Sequence, residues 1–523
     1  MIEKREWKHM TELIIKYYGD ISRVTELASD VTLLLCGYAI ITIEEEDIVE
    51  LTNIPEVIFV EYPRRIFEEA YGDYVLCQNP IQNRLGLYGE GTIVAIIDTG
   101  VETTNKVFGE RAIQLDTSGN IYRETPSGIL SFQHGTAVAS IAAGEFESGA
   151  GLATRAEILS VAVTEGRERS FYRTSEVMKA IDVAVRYAIR QKKPLAVNVS
   201  FGNSYGPHDG TGLLERYIDC VSSIWRLSII VGMGNEGASD IHYAGKFEKQ
   251  REGIAYYDTT KSQDILISVG EFERELIISL WKNFGDDMAV EIFSPNGDST
   301  GIIYDVEMGN TGMNSNVTRI SLSGTTGFVR YQTATPYTSK SEIYIELTKE
   351  NGYVPQGVYI LRIIPGSIKY GVYNIWLPTS SRNISFFMPE TGERTLTVPA
   401  TASSVISVGA YDSSNEEYAF FSGRGYECFS YVKPDVVAQG VMVPAILSGT
   451  DNIAMFTGTS FATPIITGVA AMLMGWGIVE GNDRELYGEK VRAYLRKSAI
   501  QLRSEITPSV RTGYGVVCLS DMF

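Results

Sequence analysis

Phe456-Thr457-Gly458-Thr459-Ser460-Phe461-Ala462-Thr463-Pro464, running into the apolar residues 465–473, is the stretch that organises the rest of the chain. Gly458 permits a close backbone approach just before Ser460. Pro464 suits the first turn of a helix, where its missing N–H costs little, and Ile465-Ile466-Thr467-Gly468-Val469-Ala470-Ala471-Met472-Leu473 reads as a buried helix. Ser460 would then lie at a helix N-terminus, among free backbone N–H groups and a positive dipole end. Such a place can stabilise an oxyanion. Taken alone, Ser460 is better read as a plain N-cap; the motifs upstream change that balance.

At 523 residues the chain exceeds one compact core, so two or three domains are expected. A net charge of −19 argues against nucleic acid and anionic membrane surfaces as partners. The five cysteines (Cys36, Cys77, Cys220, Cys428, Cys518) show neither a disulfide framework nor a zinc spacing, which points to a reducing compartment. No secretory signal and no run of transmembrane length is read, so a cytoplasmic protein is expected.

Ile93-Val94-Ala95-Ile96-Ile97 reads as a central strand of a parallel sheet. Asp98 ends it, at the strand end where open α/β sheets gather functional groups; its plainer reading is a loop-capping acid. His134 opens a small-residue helix that ends near Gly144. Of the four histidines, His9 and His208 sit in polar, exposed-looking contexts, and His242 opens a later segment. That leaves His134 as the candidate general base, or a core histidine satisfied by a hydrogen bond. Strands at 158–163, at 195–202 and from 227 onward alternate with helices, which predicts a doubly wound α/β domain. The last of these strands runs into Met233-Gly234-Asn235-Glu236-Gly237, where Asn235 is either a turn former or an oxyanion donor. Residues 1–70 read as a small α+β unit, with a short helix at 10–17 and strands at 31–35, 38–43 and 57–62.

Asp98-Thr99-Gly100, His134-Gly135-Thr136, Met233-Gly234-Asn235 and Gly458-Thr459-Ser460-Phe461-Ala462-Thr463-Pro464 resemble, in order, the active-site segments of the subtilisin-like serine proteases. Four matched segments in one order make the resemblance specific. It implies that Ser460 attacks the scissile carbonyl, His134 moves the proton, and Asp98 orients His134. It also implies that Asn235 and the Ser460 N–H hold the oxyanion. Ser200, Phe201 and Gly202 would pair with the substrate backbone, and Gly232 and Met233 would border the pocket for the residue before the cut. No metal and no cofactor is implied: residues 145–152 lack the asparagine-rich pattern of the family's strong calcium site.

The resemblance further reads residues 1–70 as a prodomain, a folding chaperone and inhibitor removed by self-cleavage between Ile66 and Val75. The catalytic domain would comprise residues 71–241 and 393–523. Residues 242–392 exceed what a compact family member needs. Their short strands and turns predict an inserted β-sandwich or jelly roll, read as a clamp on the fold. This arrangement is similar to the clostridial Csp germination proteases. That likeness implies a peptide or protein substrate, a spore cortex hydrolase precursor, and a cleaved prodomain that stays bound. The other reading is a catalytically restrained regulatory protein on the same fold.

Overall fold

The computed structural model describes residues 10–68, 71–72, 86–122, 132–146, 149–163, 172–249, 257–305, 316–332, 335–378, 385–389, 393–428, 431–503 and 505–518. The chain forms two compact units. One takes residues 1–64, 211–213 and 241–391, the other residues 65–210, 214–240 and 392–523.

The second unit is built on a ten-stranded sheet. Its parallel strands lie in the order Ala112–Leu115, Glu157–Ala162, Ile93–Asp98, Leu195–Val199, Leu227–Gly232, Ile406–Asp412 and Val436–Gln439. The central members are buried on both faces, so each is a continuous apolar run without alternation. Val94, Ile96, Ala196 and Ile230 share one core with the helices Gln133–Ala143 and Thr459–Met474. Thr459–Val479 is apolar enough to span a membrane by length, with mean hydropathy 1.7, but 78% of that window is buried as the core helix of this unit. Strand order decides where the site lies. After Ile93–Asp98, the next two strands are laid down on one side of it and all later ones on the other. The order therefore reverses between Ile93–Asp98 and Leu195–Val199, and the crevice at their carboxyl ends is the natural binding place. Asp98 ends the first of these strands, and Ser200 follows the second.

The first unit contains an N-terminal β-α-β-β-α-β piece. Its sheet runs Asp30–Leu34, Tyr38–Glu44, Met10–Tyr17, Val57–Glu61, all antiparallel where paired. The helix expected at 10–17 is instead the strand Met10–Tyr17, with Leu13, Ile14 and Ile15 buried and both flanks hydrogen-bonded to neighbours. Eight residues are too few for helical periodicity to outvote sheet pairing. The second piece is a β-sandwich. Six strands lie in the order His242–Lys246, Val372–Trp376, Glu275–Asn283, Lys340–Thr348, Thr325–Tyr331, Asn316–Leu322, and four in the order Met288–Phe293, Gly357–Pro365, Gln263–Val269, Phe386–Met388. Residues of both sheets, Ile278, Leu280, Ile343 and Ile345 from one and Val290, Ile265 and Leu361 from the other, share one core.

Two further sequence expectations change. His208 is buried and not exposed, its Nδ1 lying 2.8 Å from the Leu396 carbonyl oxygen. Polar neighbours in sequence gave no sign of a backbone partner 188 residues away. His242 is also buried, with Nε2 3.1 Å from Asn374 Oδ1 and its ring against Trp376. Cys36 and Cys220 are each disulfide-bonded, and Cys518 carries a thiol outside any disulfide, where the cysteine spacing had suggested no disulfide at all.

A buried ion cluster closes the C-terminal side of the large sheet. Asp435 and Lys433 are fully buried 3.1 Å apart, and Arg496 and Arg492 converge on the same carboxylate. Burial alone would raise Asp435, but Lys433, Arg492 and Arg496 outweigh it and hold the carboxyl at about 2. Burial draws Lys433 down in the same contact; the two arginines keep the carboxylate charged regardless. An unfolded Asp titrates near about 3.9. Asp435 therefore stabilises the fold above that pH, and its contribution is lost as pH falls through about 2. Asp435→Asn, which strands a buried lysine, is expected to cost roughly 3–5 kcal/mol at neutral pH. Denaturant midpoints should show the gap between variant and wild type narrowing below about pH 4; a gap unchanged down to pH 2 would refute the assignment.

Candidate active site

The residues singled out in the sequence arrive at one place from four elements. Asp98, the last residue of its strand, is fully buried. Its Oδ1 accepts from the Thr99 N–H at 2.7 Å and lies 2.8 Å from His134 Nδ1. His134 is the second residue of the helix Gln133–Ala143 and is 7% exposed. Gly135 is required behind it: a Cβ there would meet the Gly100 carbonyl oxygen at 2.2 Å. The helix can approach the Asp98 loop only because that position carries no side chain.

Ser460 is the second residue of the helix Thr459–Met474, and the strand Ile453–Thr457 delivers it. Gly458 makes the turn between them at φ 148°, a region that favours glycine. The Phe461 ring centroid lies 5.5 Å from that of His134, which places the imidazole beside the start of the Ser460 helix. Asn235 reaches the same helix. Its Oδ1 accepts from the Thr459 N–H at 3.0 Å and from Thr459 Oγ1 at 3.2 Å. With the carbonyl end of the amide so engaged, its NH2 end is the part available to donate.

Ser200 ties the neighbouring strand to Ser460. Its Oγ donates to the Ser460 carbonyl at 3.2 Å, and its own carbonyl accepts from Ser460 Oγ at 3.4 Å. Phe201 is buried, and Phe201–Gly202 forms a two-residue strand. Gly232 packs on the helix start: a Cβ would lie 3.0 Å from Thr463 Oγ1. Met233 is fully buried, with its N–H on the Val408 carbonyl and its own carbonyl accepting from Thr397.

The sequence reading passed over Asn198. It is fully buried, donates from Nδ2 to Ser200 Oγ at 2.8 Å, and accepts at Oδ1 from Thr467 Oγ1 at 3.1 Å. The signal was a lone amide inside the apolar run Leu195-Ala196-Val197-Asn198-Val199, since a buried polar group requires partners.

Glu236 follows Asn235. Its Oε2 is enclosed and makes no hydrogen bond among the described residues. Burial raises the carboxyl to about 7, against the lowering pull of the backbone N–H groups of Glu236 and Asn235. A carboxyl whose folded pKa lies above its unfolded one, near about 4.3, supports the fold fully below the unfolded value. That support is lost as pH rises through about 7. Glu236→Gln is therefore expected to raise the thermal midpoint relative to wild type at pH 8 and not at pH 4. Melting curves across that range check it, and parallel curves would contradict it.

A segment of the same chain occupies the crevice. Arg65–Glu68 pairs antiparallel on one side with Tyr172–Arg173 and on the other with Phe201–Gly202, with Phe67 opposite Gly202 and Glu68 opposite Phe201. Asn203 Nδ2 donates to the Arg65 carbonyl at 2.8 Å. Three residues on, Tyr71–Gly72 pairs with Thr457 and Phe456, immediately ahead of Gly458. The chain is thus strand-paired on both flanks of Ser460.

The model of the subtilase family, peptidase S8, matches residues 89–348 and 380–515, and that of the Csp protease B prodomain matches residues 2–64. The solved structure of the Clostridium perfringens CspB protease superposes with a TM-score of 0.73 at 28% identity, covering 85% of this chain and 95% of that one. Subtilisin E of Bacillus subtilis (strain 168) is 37% identical over 108 residues, 20% of this chain and 26% of its own length. The subtilase-type proteinase RRT12 of Saccharomyces cerevisiae is 40% identical over 80 residues, 15% of each. The aligned stretches span about a quarter or less of these curated relatives.

Proposed function

The chain belongs to the subtilase family of serine peptidases, and from that premise we propose that it is an endopeptidase working through Asp98, His134 and Ser460 that first cuts itself between residues 68 and 71. The carrying observation is the antiparallel pairing of Arg65–Glu68 with Phe201–Gly202, next to the Ser200–Ser460 contacts. A peptide held this way is bound as an added strand, which presents its backbone carbonyls to a fixed nucleophile. Ser460 Oγ would attack one carbonyl carbon while His134 accepts the hydroxyl proton. The departing amine would take that proton, leaving an acyl-enzyme that water hydrolyses. The freed carboxylate would end a strand still paired on two sides, so the first product would be a bound inhibitor and the enzyme latent until its tail is displaced. The same occupancy favours, as the second reading, a restrained protein whose crevice never clears.

Intact masses of wild type and Ser460→Ala test the proposal. Wild type should appear as two fragments joined at a bond between residues 68 and 71, and the variant as one chain. Two whole chains, with no labelling of wild type by a fluorophosphonate, would leave the restrained reading standing. For the later substrate we propose a precursor of a spore cortex hydrolase, supported by the match to the Csp protease B prodomain and placing the protein with the spore. Incubating such a precursor with wild type and with Ser460→Ala, and comparing its length afterwards, checks that assignment.

A further inference from the structure

The outer face of the six-stranded sheet of the β-sandwich carries a charged cluster that its own core does not explain. In the paired strands Glu275–Asn283 and Lys340–Thr348, Trp281 stands opposite Glu342, and Ser279 lies two residues along on the same face. The alternate residues Ile278, Leu280, Ile343 and Ile345 point into the sandwich core. In a free-standing sandwich the outer residues would face water. Here Ser279, Trp281 and Glu342 are at most 4% exposed.

The N-terminal piece contributes to covering them. Arg64 places Nη1 and Nη2 3.4 and 3.1 Å from the two carboxylate oxygens of Glu342, in a bidentate fork. Its Nε lies 3.3 Å from Glu61 Oε1, and its guanidinium stands 5.7 Å from the Trp281 ring. Ser279 Oγ completes the arrangement, 2.5 Å from Glu342 Oε1 and accepting from Trp281 Nε1 at 2.9 Å. Phe59 meets Tyr337 edge to face at 5.7 Å nearby.

We infer that the inserted sandwich is the docking surface for the prodomain, with Arg64 seated on Glu342 and Trp281 as the anchor that retains it after self-cleavage. This rests on the self-processing proposed above. Three features make the anchor suited to retention. Arg64 lies on the prodomain side of the cut, so cleavage leaves its contacts intact. The sandwich is covalently continuous with the catalytic unit at both ends, so whatever holds to it stays with the enzyme. A bidentate, largely enclosed guanidinium–carboxylate pair is also sensitive to loss of one partner, because without Arg64 the docked prodomain would cover Glu342 as an uncompensated buried charge.

The test uses the full chain with a C-terminal tag. Wild type, Arg64→Ala and the milder Arg64→Lys are allowed to process, and loss of the prodomain from the immobilised enzyme is timed under continuous washing. Processing itself reports that a variant has folded. The expected result is release at least about 100-fold faster for Arg64→Ala, with Arg64→Lys between it and wild type. Processed Arg64→Ala chains that release the prodomain no faster than wild type overturn the inference. If wild type or a variant fails to cut itself, the same washing experiment is run on Ser460→Ala chains carrying an added protease site between residues 72 and 86. Severing that site separates the prodomain without this enzyme's own chemistry. Retention insensitive to Arg64 then sinks the anchor, whereas failure of self-cutting alone sinks only the processing proposal.

Discussion

Asp98→Asn is expected to slow self-cleavage by about four orders of magnitude, and His134→Ala or Ser460→Ala by roughly six, figures set by serine proteases of the same chemistry. The asparagine case follows from the local bonds. One oxygen of Asp98 serves both the Thr99 N–H and His134 Nδ1, and Oδ2 is buried with no hydrogen bond among the described residues. An asparagine that keeps its oxygen on those two groups must bury an NH2 where Oδ2 was. An asparagine turned the other way donates to His134 Nδ1, which forces the ring proton onto Nε2 and leaves no base facing the nucleophile. In either orientation the negative charge that stabilises the imidazolium is gone. Following the masses of freshly folded chains over time gives the rates directly, because self-cleavage is a single turnover. An Asp98→Asn chain that processes within tenfold of wild type would remove Asp98 from the reaction.

How much of this was legible in the sequence depended on whether the signal was local. Ile93–Asp98 and Leu195–Val199 could be read as buried parallel strands because burial on both faces writes itself as an unbroken apolar run. The Ser460 turn was legible because Gly458, Ser460 and Pro464 have separate steric reasons to stand where they do. Met10–Tyr17 misled, since its strand character comes from neighbours at 38–44 and 57–61. The reach of Arg64 to Glu342 spans 278 residues and has no sequence period at all. Nor could spacing reveal that Arg65–Glu68 inserts between Tyr172–Arg173 and Phe201–Gly202. A two-residue strand has no pattern of its own, and only the sheet order, which puts Ser200 at the reversal point, makes that edge available.

Asn235→Ala should lower kcat by roughly two to three orders of magnitude with little change in KM, the signature of a donor used only when charge develops on the substrate oxygen. Asn235→Asp should be at least as damaging, because it replaces the donor with a like charge facing the oxyanion. The role of Thr459 is then separable. Asn235 Oδ1 is held by both the N–H and the hydroxyl of Thr459. Thr459→Val keeps the volume and the backbone donor while losing one of the two tethers. It should cost about fivefold in kcat, since one neutral hydrogen bond is worth roughly 1 kcal/mol. If Thr459 acts only by aiming the Asn235 amide, the double variant Asn235→Ala, Thr459→Val should be no slower than Asn235→Ala alone, because the aimed group is already absent. Full additivity would instead mean that Thr459 supports the nucleophile helix independently. A kcat for Asn235→Ala close to wild type would place the oxyanion donor elsewhere on the loop that Gly234 and Asn235 share.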